Sequence, residues 1–535
     1  MTAAALSPAT PGVAQNPWLV AALVVVPTFM EVLDTTIAVV ALRYIAGGLS
    51  ATVSDGEWVL TSYLAANAVI LPITGWLSAH LGRRNYFLAS IAVFTFSSLL
   101  CGLAGSLGQL ILFRVIQGLA GGGLQPSSQG VLLDAFPREK QGVAMTLFGF
   151  AALIAPVVGP TLGGWITDSY SWRWVFLINV PVGFLAMGGC YALLRDPDYL
   201  VAQRTELRKQ PFHFDSIGLS LLVIVMVSWE VMLSKGQEWD WLGDPFWRVQ
   251  TLAIFFAVGL VALIFWELRH RNPVVNFRPL GERNFAACCI IIFCAYLALY
   301  AASTSLPGLL QSLFGYDALS AGLVMSPAGI FAVLAMPIVG RLLGLGTDAR
   351  WLIAAGLLLM TAGNYWMSQF NLDISPGQAV WPRVLVIAGL AVCFAPANVA
   401  AYLYTPLALR GAAIGLLSLL RNEGGSVGTS LAQTFQERRD QFHTLRLGES
   451  LDPFNPAVAS FLEQARGAFL QQTGDPVAAQ QLAWQALENL RQQQASSLAY
   501  FDTFWMMAVL TFAVAFLVLL MKRSVAEKGG HASSE

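Results

Sequence analysis

Apolar residues run in blocks of about 20 along nearly the whole chain, each long enough to cross a bilayer as a helix and each closed by glycine, proline or charge. Reading these blocks against their breakers predicts fourteen spans. Seven lie near 17–42, 58–79, 86–105, 109–135, 142–166, 173–194 and 216–233. Seven more follow near 248–268, 285–306, 318–341, 350–369, 380–404, 411–434 and 501–521. The pattern changes between about 436 and 499, a polar stretch rich in Gln and Ala. There Val458, Phe461, Leu462, Ala465 and Phe469 share one helical face, and Leu482, Ala483, Ala486 and Leu490 share another. Asn455-Pro456 and Asp475-Pro476 precede these segments, the chemistry of an N-cap followed by proline at the first helical position. An external helical hairpin is expected, its apolar faces either closing on each other or leaving a stripe for another protein.

Composition supports a membrane solvent. Hydrophobic residues make up 56% of the 535 positions and charged ones 11%, about half the usual charged fraction. The first basic residue, Arg43, lies beyond the first run, so the basic head of a cleaved signal peptide is missing and that run is expected to stay. Loops after even-numbered spans hold most of the basic residues, among them Arg83, Arg84, Arg195, Arg204, Arg341, Arg410, Lys522 and Arg523. Short loops on the other side hold Arg43, Arg173, Lys235, Arg248 and Arg383. The bias predicts an inner-membrane protein with both termini in the cytoplasm and the 436–499 stretch outside.

A net charge of −1, with no basic arm, argues against nucleic acid as a partner. The six cysteines fall in apolar runs without paired metal-ligand spacing and read as small buried hydrophobes, so no metal or cofactor is expected. No G-x-x-x-x-G-K-[ST] loop is present to cradle ATP, and the five histidines are scattered. An enzyme reading therefore has little support.

The strongest chemical signal is in the first span, where Glu31 and Asp34 are three residues apart near its middle. An ionised carboxylate at that depth costs about 2.5–3.5 kcal/mol, and two of them repel. At least one is expected to bind and release a proton; the alternative is that both are structural, held by neighbouring helices. Arg114 in the fourth span lies roughly 8 Å below the outer end of its helix and Asp34 roughly 14 Å below the outer end of its own, a difference a long arginine can bridge. Arg114 then either gates the proton or simply ties helices together. In the fifth span Gly159 and Gly163 form a small-x-x-x-small stripe, and Pro156 and Pro160 favour a bend. The loop Gly75 through Asn85 is short and basic.

Taken in order, Leu33-Asp34-Thr35-Thr36-Ile37, the loop from Gly75 through Gly82-Arg83-Arg84, Arg114 with Gln117 and Gly118, Gly159-Pro160 with Gly163-Gly164, and Trp172 through Pro181 resemble the motifs of fourteen-span drug:proton antiporters of the major facilitator superfamily, most closely the EmrB-like permeases. The resemblance implies an all-α fold with an N-terminal six-helix bundle in 1–195, two additional helices in 196–283 and a C-terminal six-helix bundle in 284–535. It implies a substrate cavity between the bundles, with Gln117, Glu230, Arg421 and Glu423 as candidate lining. It also implies Pro156, Gly159, Pro160, Gly163 and Gly164 as the antiporter-motif helix, and Gly75, Gly82, Arg83 and Arg84 as a gating loop. Asp34, Glu31 and Arg114 become the expected proton-coupling group. Ala79 stands where the family's loop usually has Asp, so a charge lock at the inner gate must be weaker or built from other residues. Internal repetition is faint, Arg114-Val115 with Gly118-Leu119-Ala120 against Arg383-Val384 with Gly389-Leu390-Ala391, at different spacings.

The leading expectation is proton-driven export of hydrophobic compounds, with a membrane-fusion adaptor and an outer-membrane channel as partners. Proton-coupled uptake on the same fold is the second, and a non-transporting membrane sensor the third. The fifth-span motif argues against uptake, and the mid-membrane acids argue against a mere scaffold.

Overall fold

The computed structural model describes residues 16–137, 140–209, 215–270, 273–316, 318–406, 409–452 and 454–525. Both terminal tails, on which the expected position of the termini bears, lie outside them. Each of the fourteen apolar runs is a helix. The N-terminal group is α1 (Pro17–Gly48), α2 (Trp58–Leu81), α3 (Arg83–Leu103), α4 (Leu107–Ala135), α5 (Gln141–Ser169) and α6 (Trp174–Leu193). Then come α7 (Ser216–Lys235) and α8 (Arg248–Arg269), followed by α9 (Arg283–Ser312), α10 (Ser320–Gly344), α11 (Ala349–Ser368), α12 (Pro376–Leu403) and α13 (Arg410–Gly448). Helix α14 (Pro456–Thr473) precedes α15 (Pro476–Ala515), which carries the last apolar run.

Eleven of these helices are long and apolar enough to cross a membrane, and bent α5 is a twelfth. The more polar α11 and α13 cover the two remaining runs, α11 packing on α12 with one face and exposing Trp351, Leu358 and Tyr365 on the other. No strand occurs among the described residues. α8 shows most directly why the chain needs lipid: Ile254, Val258, Val261, Phe265 and Leu268 project outward from it, and burying them in water-excluding hydrocarbon is the only way to satisfy that face. Within the N-terminal group α1 packs on α5 and α2 on α4; within the C-terminal group α9 packs on α13 and α11 on α12. The groups meet through α2 against α13 and α5 against α10, while α7 touches α2, α8 and α13.

Capping follows the sequence. The Asn16 side chain accepts from the Trp18 amide at 3.1 Å with Pro17 at the first helical position, and Asp215 accepts from the Gly218 amide at 2.8 Å at the start of α7. Asn455 and Asp475 cap α14 and α15 in the same way, at 3.0 and 2.8 Å.

In the 436–499 stretch the two expected helices form, α14 packing on α15, and α13 adds a third. α13 runs on to Gly448 because neither glycine nor proline interrupts it after Gly428, and α15 is one 40-residue helix because neither occurs between Val477 and Ala515. The stretch is therefore three helical arms, two of them rigid extensions of spanning helices. On α15 the buried row is Ala479, Ala483 and Leu487, and Leu490 faces outward. Arg439 Nε and His443 Nε2 both reach Asp502, at 2.6 and 2.7 Å, tying α13 to α15 at the foot of the arms.

Candidate functional site

Asp34 is fully enclosed by α1, α2, α4 and α6. Its Oδ2 accepts from Arg114 Nη1 at 2.5 Å, and its Oδ1 accepts from Gln117 Nε2 at 3.1 Å and Asn179 Nδ2 at 2.7 Å. Arg114 also donates from Nε to the Val59 carbonyl at 3.1 Å and from Nη1 to Gln117 Oε1 at 2.9 Å. Its guanidinium lies 4.2 Å from the centre of the Tyr63 ring. Ser98 accepts from Gln117 and Asn179, both at 3.2 Å, and donates to the Phe176 carbonyl. A charge pair without water needs its remaining donors and acceptors filled. Here they nearly are, with only Arg114 Nη2 unmatched among the described side chains.

Glu31, one turn earlier, has other company. Oε1 accepts from Tyr63 at 3.3 Å and Asn67 Nδ2 at 3.1 Å, and Oε2 accepts from Gln125 on α4. Gln125 in turn accepts from Arg421 on α13, and Asn422 Nδ2 donates to Asn67 Oδ1 at 3.1 Å. Two hydrogen-bond routes therefore run from α13 into one carboxylate of α1. The two acids share a helical face yet do different jobs: Asp34 is sealed inside the N-terminal group, and Glu31 stands at its seam with the C-terminal group. Tyr63 touches both environments, its hydroxyl on Glu31 and its ring against Arg114.

α5 lies tightly on α1 and bends by 45° between Gln141–Pro156 and Thr161–Ser169. A Cβ on Gly159 would stand 2.1 Å from Thr36 Oγ1, and one on Gly163 would stand 3.1 Å from Ile37 Cγ2. Gly164 faces open space, and the Pro160 side chain lies outside the described residues.

At the basic end of the bundle, Gly75 meets the backbone of Gly411 across the seam, where a Cβ would come within 2.6 Å. Gly82 ends α2 at φ +88°, a conformation glycine supplies without strain. Arg83 pairs with Asp134 and donates to the Gly130 carbonyl at 3.0 Å, and Asp196 Oδ1 accepts from the Arg84 amide at 2.7 Å. The charges that Ala79 cannot supply thus come from Asp134 and Asp196, both within the N-terminal half.

Of the remaining candidates, Gln117 belongs to the Asp34 cluster and Arg421 to the Glu31 routes. Glu230 and Glu423 meet between α7 and α13, with Ser426 Oγ donating to Glu230 Oε1 at 3.1 Å and Trp229 Nε1 to Glu423 Oε2 at 2.6 Å. Arg383 is buried on α12 with Ser303 at 2.6 Å as its hydroxyl partner and no ion pair among the described residues. The faint repeat therefore places an arginine in each half and a carboxylate beside only the first.

The sequence profile of the Major Facilitator Superfamily matches residues 24–429, a segment that holds the Asp34 and Glu31 clusters and both sides of the seam. The chain belongs to this superfamily. Within it, it is 36% identical over 505 residues to the Multidrug export protein EmrB of Escherichia coli (strain K12), covering 94% of this chain and 95% of that one. It is 39% identical over 440 residues to EmrB of Haemophilus influenzae, covering 82% and 84%. It is also 35% identical over 430 residues to the Fatty acid resistance protein FarB of Neisseria gonorrhoeae, covering 80% and 83%. Among solved structures, the superfamily's proton:xylose symporter XylE superposes with a TM-score of 0.57 at 14% identity, over 93% of this chain and 95% of that one. That likeness concerns the fold alone.

Several residues of this superfamily member's polar core are not evident from motif reading. Asn67, Gln125 and Asn422 carry the routes to Glu31, and Ser98 completes the shell of Asp34 beside Asn179 of the Trp172–Pro181 motif. Their signal in the sequence is weak but real: each is a polar residue in an apolar run that has to find a partner inside the bundle.

Proposed function

We propose that this EmrB-like permease is a multidrug efflux transporter that exports hydrophobic compounds across the inner membrane in exchange for protons, with Asp34, Glu31 and Arg114 as the coupling group. The observation that carries the reading is a buried Asp34–Arg114 pair one helical turn from a carboxylate wired to the opposite bundle. A proton arriving at Asp34 removes the charge that holds Arg114, Gln117 and Asn179 together. Tyr63 passes the rearrangement to Glu31, where the Gln125 and Asn67 contacts with α13 are remade. Alternation of the bundles about that seam then exposes the cavity to either side, and α5, packed on α1 beside Thr36 and Ile37, moves with it. The Gly75–Gly411 contact, the Arg83–Asp134 ion pair and the bond from the Arg84 amide to Asp196 serve as the cytoplasmic gate.

A potential of 100 mV contributes about 2.3 kcal/mol per proton charge, enough for a gradient of one to two decades. In inverted membrane vesicles, an imposed acid interior is expected to drive accumulation of a lipophilic dye, and a protonophore to abolish it. Accumulation that ignores the protonophore would refute proton coupling.

The same reading places both termini in the cytoplasm and the three helical arms in the periplasm, where they meet a membrane-fusion adaptor leading to an outer-membrane channel. The arms expose Phe442, Leu445, Phe454, Trp484 and Leu490, an apolar surface that no other part of the chain covers among the described residues. Replacing 450–495 by a short Gly/Ser linker is expected to preserve transport in vesicles and to abolish whole-cell resistance and adaptor co-purification. Undiminished co-purification would move the docking site elsewhere.

A further inference from the structure

Glu230 on α7 and Glu423 on α13 are 2% and 6% exposed. Each has one oxygen that accepts a neutral donor, from Ser426 and from the Trp229 indole respectively. The other oxygens, Glu230 Oε2 and Glu423 Oε1, meet no donor among the described side chains. Both bonds cross the junction, Trp229 of α7 to Glu423 of α13 and Ser426 of α13 to Glu230 of α7, and so set the two carboxyl groups against each other. Two carboxylates placed so would present acceptor to acceptor in a medium that cannot screen them.

Among the described residues, the surrounding elements offer no cation to relieve the contact. Lys235, further along α7, is held by Glu57 of the segment before α2 and by Glu238, each at 2.6 Å. Arg421, two residues before Glu423, donates to Gln125. From α8 the facing group is the Phe256 ring, stacked on Trp229 at 4.4 Å. From α9, Tyr300 lies against Gly425, and from α2 the Tyr63 hydroxyl is engaged by Glu31.

We infer that Glu230 and Glu423 hold one exchangeable proton between them, making the junction of α7 with α13 a second proton-binding site distinct from Asp34. The proton turns an acceptor–acceptor contact into a short O–H···O⁻ bond, and it fixes α7 to the C-terminal bundle. Its loss leaves two like charges in contact and favours separation of α7 from α13. The inference does not rest on proton-driven export and concerns residues outside the Asp34 group.

Infrared spectra of the purified full-length chain in lipid nanodiscs test it without transport. Near neutral pH the wild type is expected to show the carbonyl band of a protonated carboxyl that shifts in heavy water and disappears on alkaline titration. Glu230→Gln and Glu423→Gln should each remove it, because the new amide supplies the hydrogen that the shared proton provided. Asp34→Asn and Glu31→Gln should retain it. A carbonyl band that is undiminished in both glutamine variants overturns the proposal. So does its absence from the wild type near neutral pH, a result that needs no variant to fold. Either failure leaves the Asp34 coupling reading standing, and loss of coupling at Asp34 would leave this site standing.

Discussion

Asp34→Asn is expected to abolish proton-driven efflux while the protein still inserts and binds substrate. Asparagine keeps the shape of the side chain and one carbonyl acceptor for Arg114, so the bundle has most of its hydrogen bonds. What it lacks is a titratable group. Deleting one partner of a buried ion pair typically costs about 3–5 kcal/mol when the remaining charge is stranded. The amide oxygen and the ring of Tyr63, 4.2 Å from the guanidinium, soften that cost, so a folded protein is expected at reduced stability. The check is dye efflux per folded molecule in inverted vesicles, where activity should fall to the background of empty vesicles. Undiminished efflux at equal expression would remove Asp34 from the mechanism.

Gly159→Leu is the second large expected effect. Even a methyl group there would stand 2.1 Å from Thr36 Oγ1 and 2.7 Å from Thr36 Cβ, so α5 cannot accept a side chain without moving off α1. Overpacking of this kind costs about 1–3 kcal/mol. Thr36 is fixed by its hydroxyl to the Val32 and Leu33 carbonyls, at 3.1 and 3.0 Å, so the displacement passes directly into the turn that carries Asp34. Transport should therefore fall further than the yield of folded protein. Gly163→Leu meets Ile37 at a looser 3.1 Å and should be the milder of the two. Normal transport in both variants would show that the α1–α5 contact has no part in the cycle.

The ease of reading differed between levels of structure. Fourteen apolar runs survive as helices because in a bilayer each must satisfy its own backbone. The Asp34–Arg114 pair was accessible from depth along two helices, since a mid-membrane acid and base have few other partners. Helical spacing put Glu31 and Asp34 on one face but could not show that α13 would reach only the first. That distinction depends on Gln125 and Asn67, whose partners come from other helices. The length of α13 and the continuity of α15 were not legible for a related reason. Composition marks where a chain leaves the membrane, whereas α13 and α15 stop only at glycine, proline or a cap, and none occurs at the boundary. Likewise, Glu230 taken alone sits near a helix end; its partner is 193 positions away (423 − 230) and becomes visible only when α7 is laid against α13.

The central claim is that substrate bound between the bundles is exchanged for a proton held at Asp34. It is tested most directly by adding a lipophilic substrate to purified, weakly buffered protein and recording the released protons with a pH-indicating dye. The wild type is expected to release protons in step with substrate binding, and Asp34→Asn to bind the same substrate with that release abolished. Equal proton release by the two proteins would contradict the account.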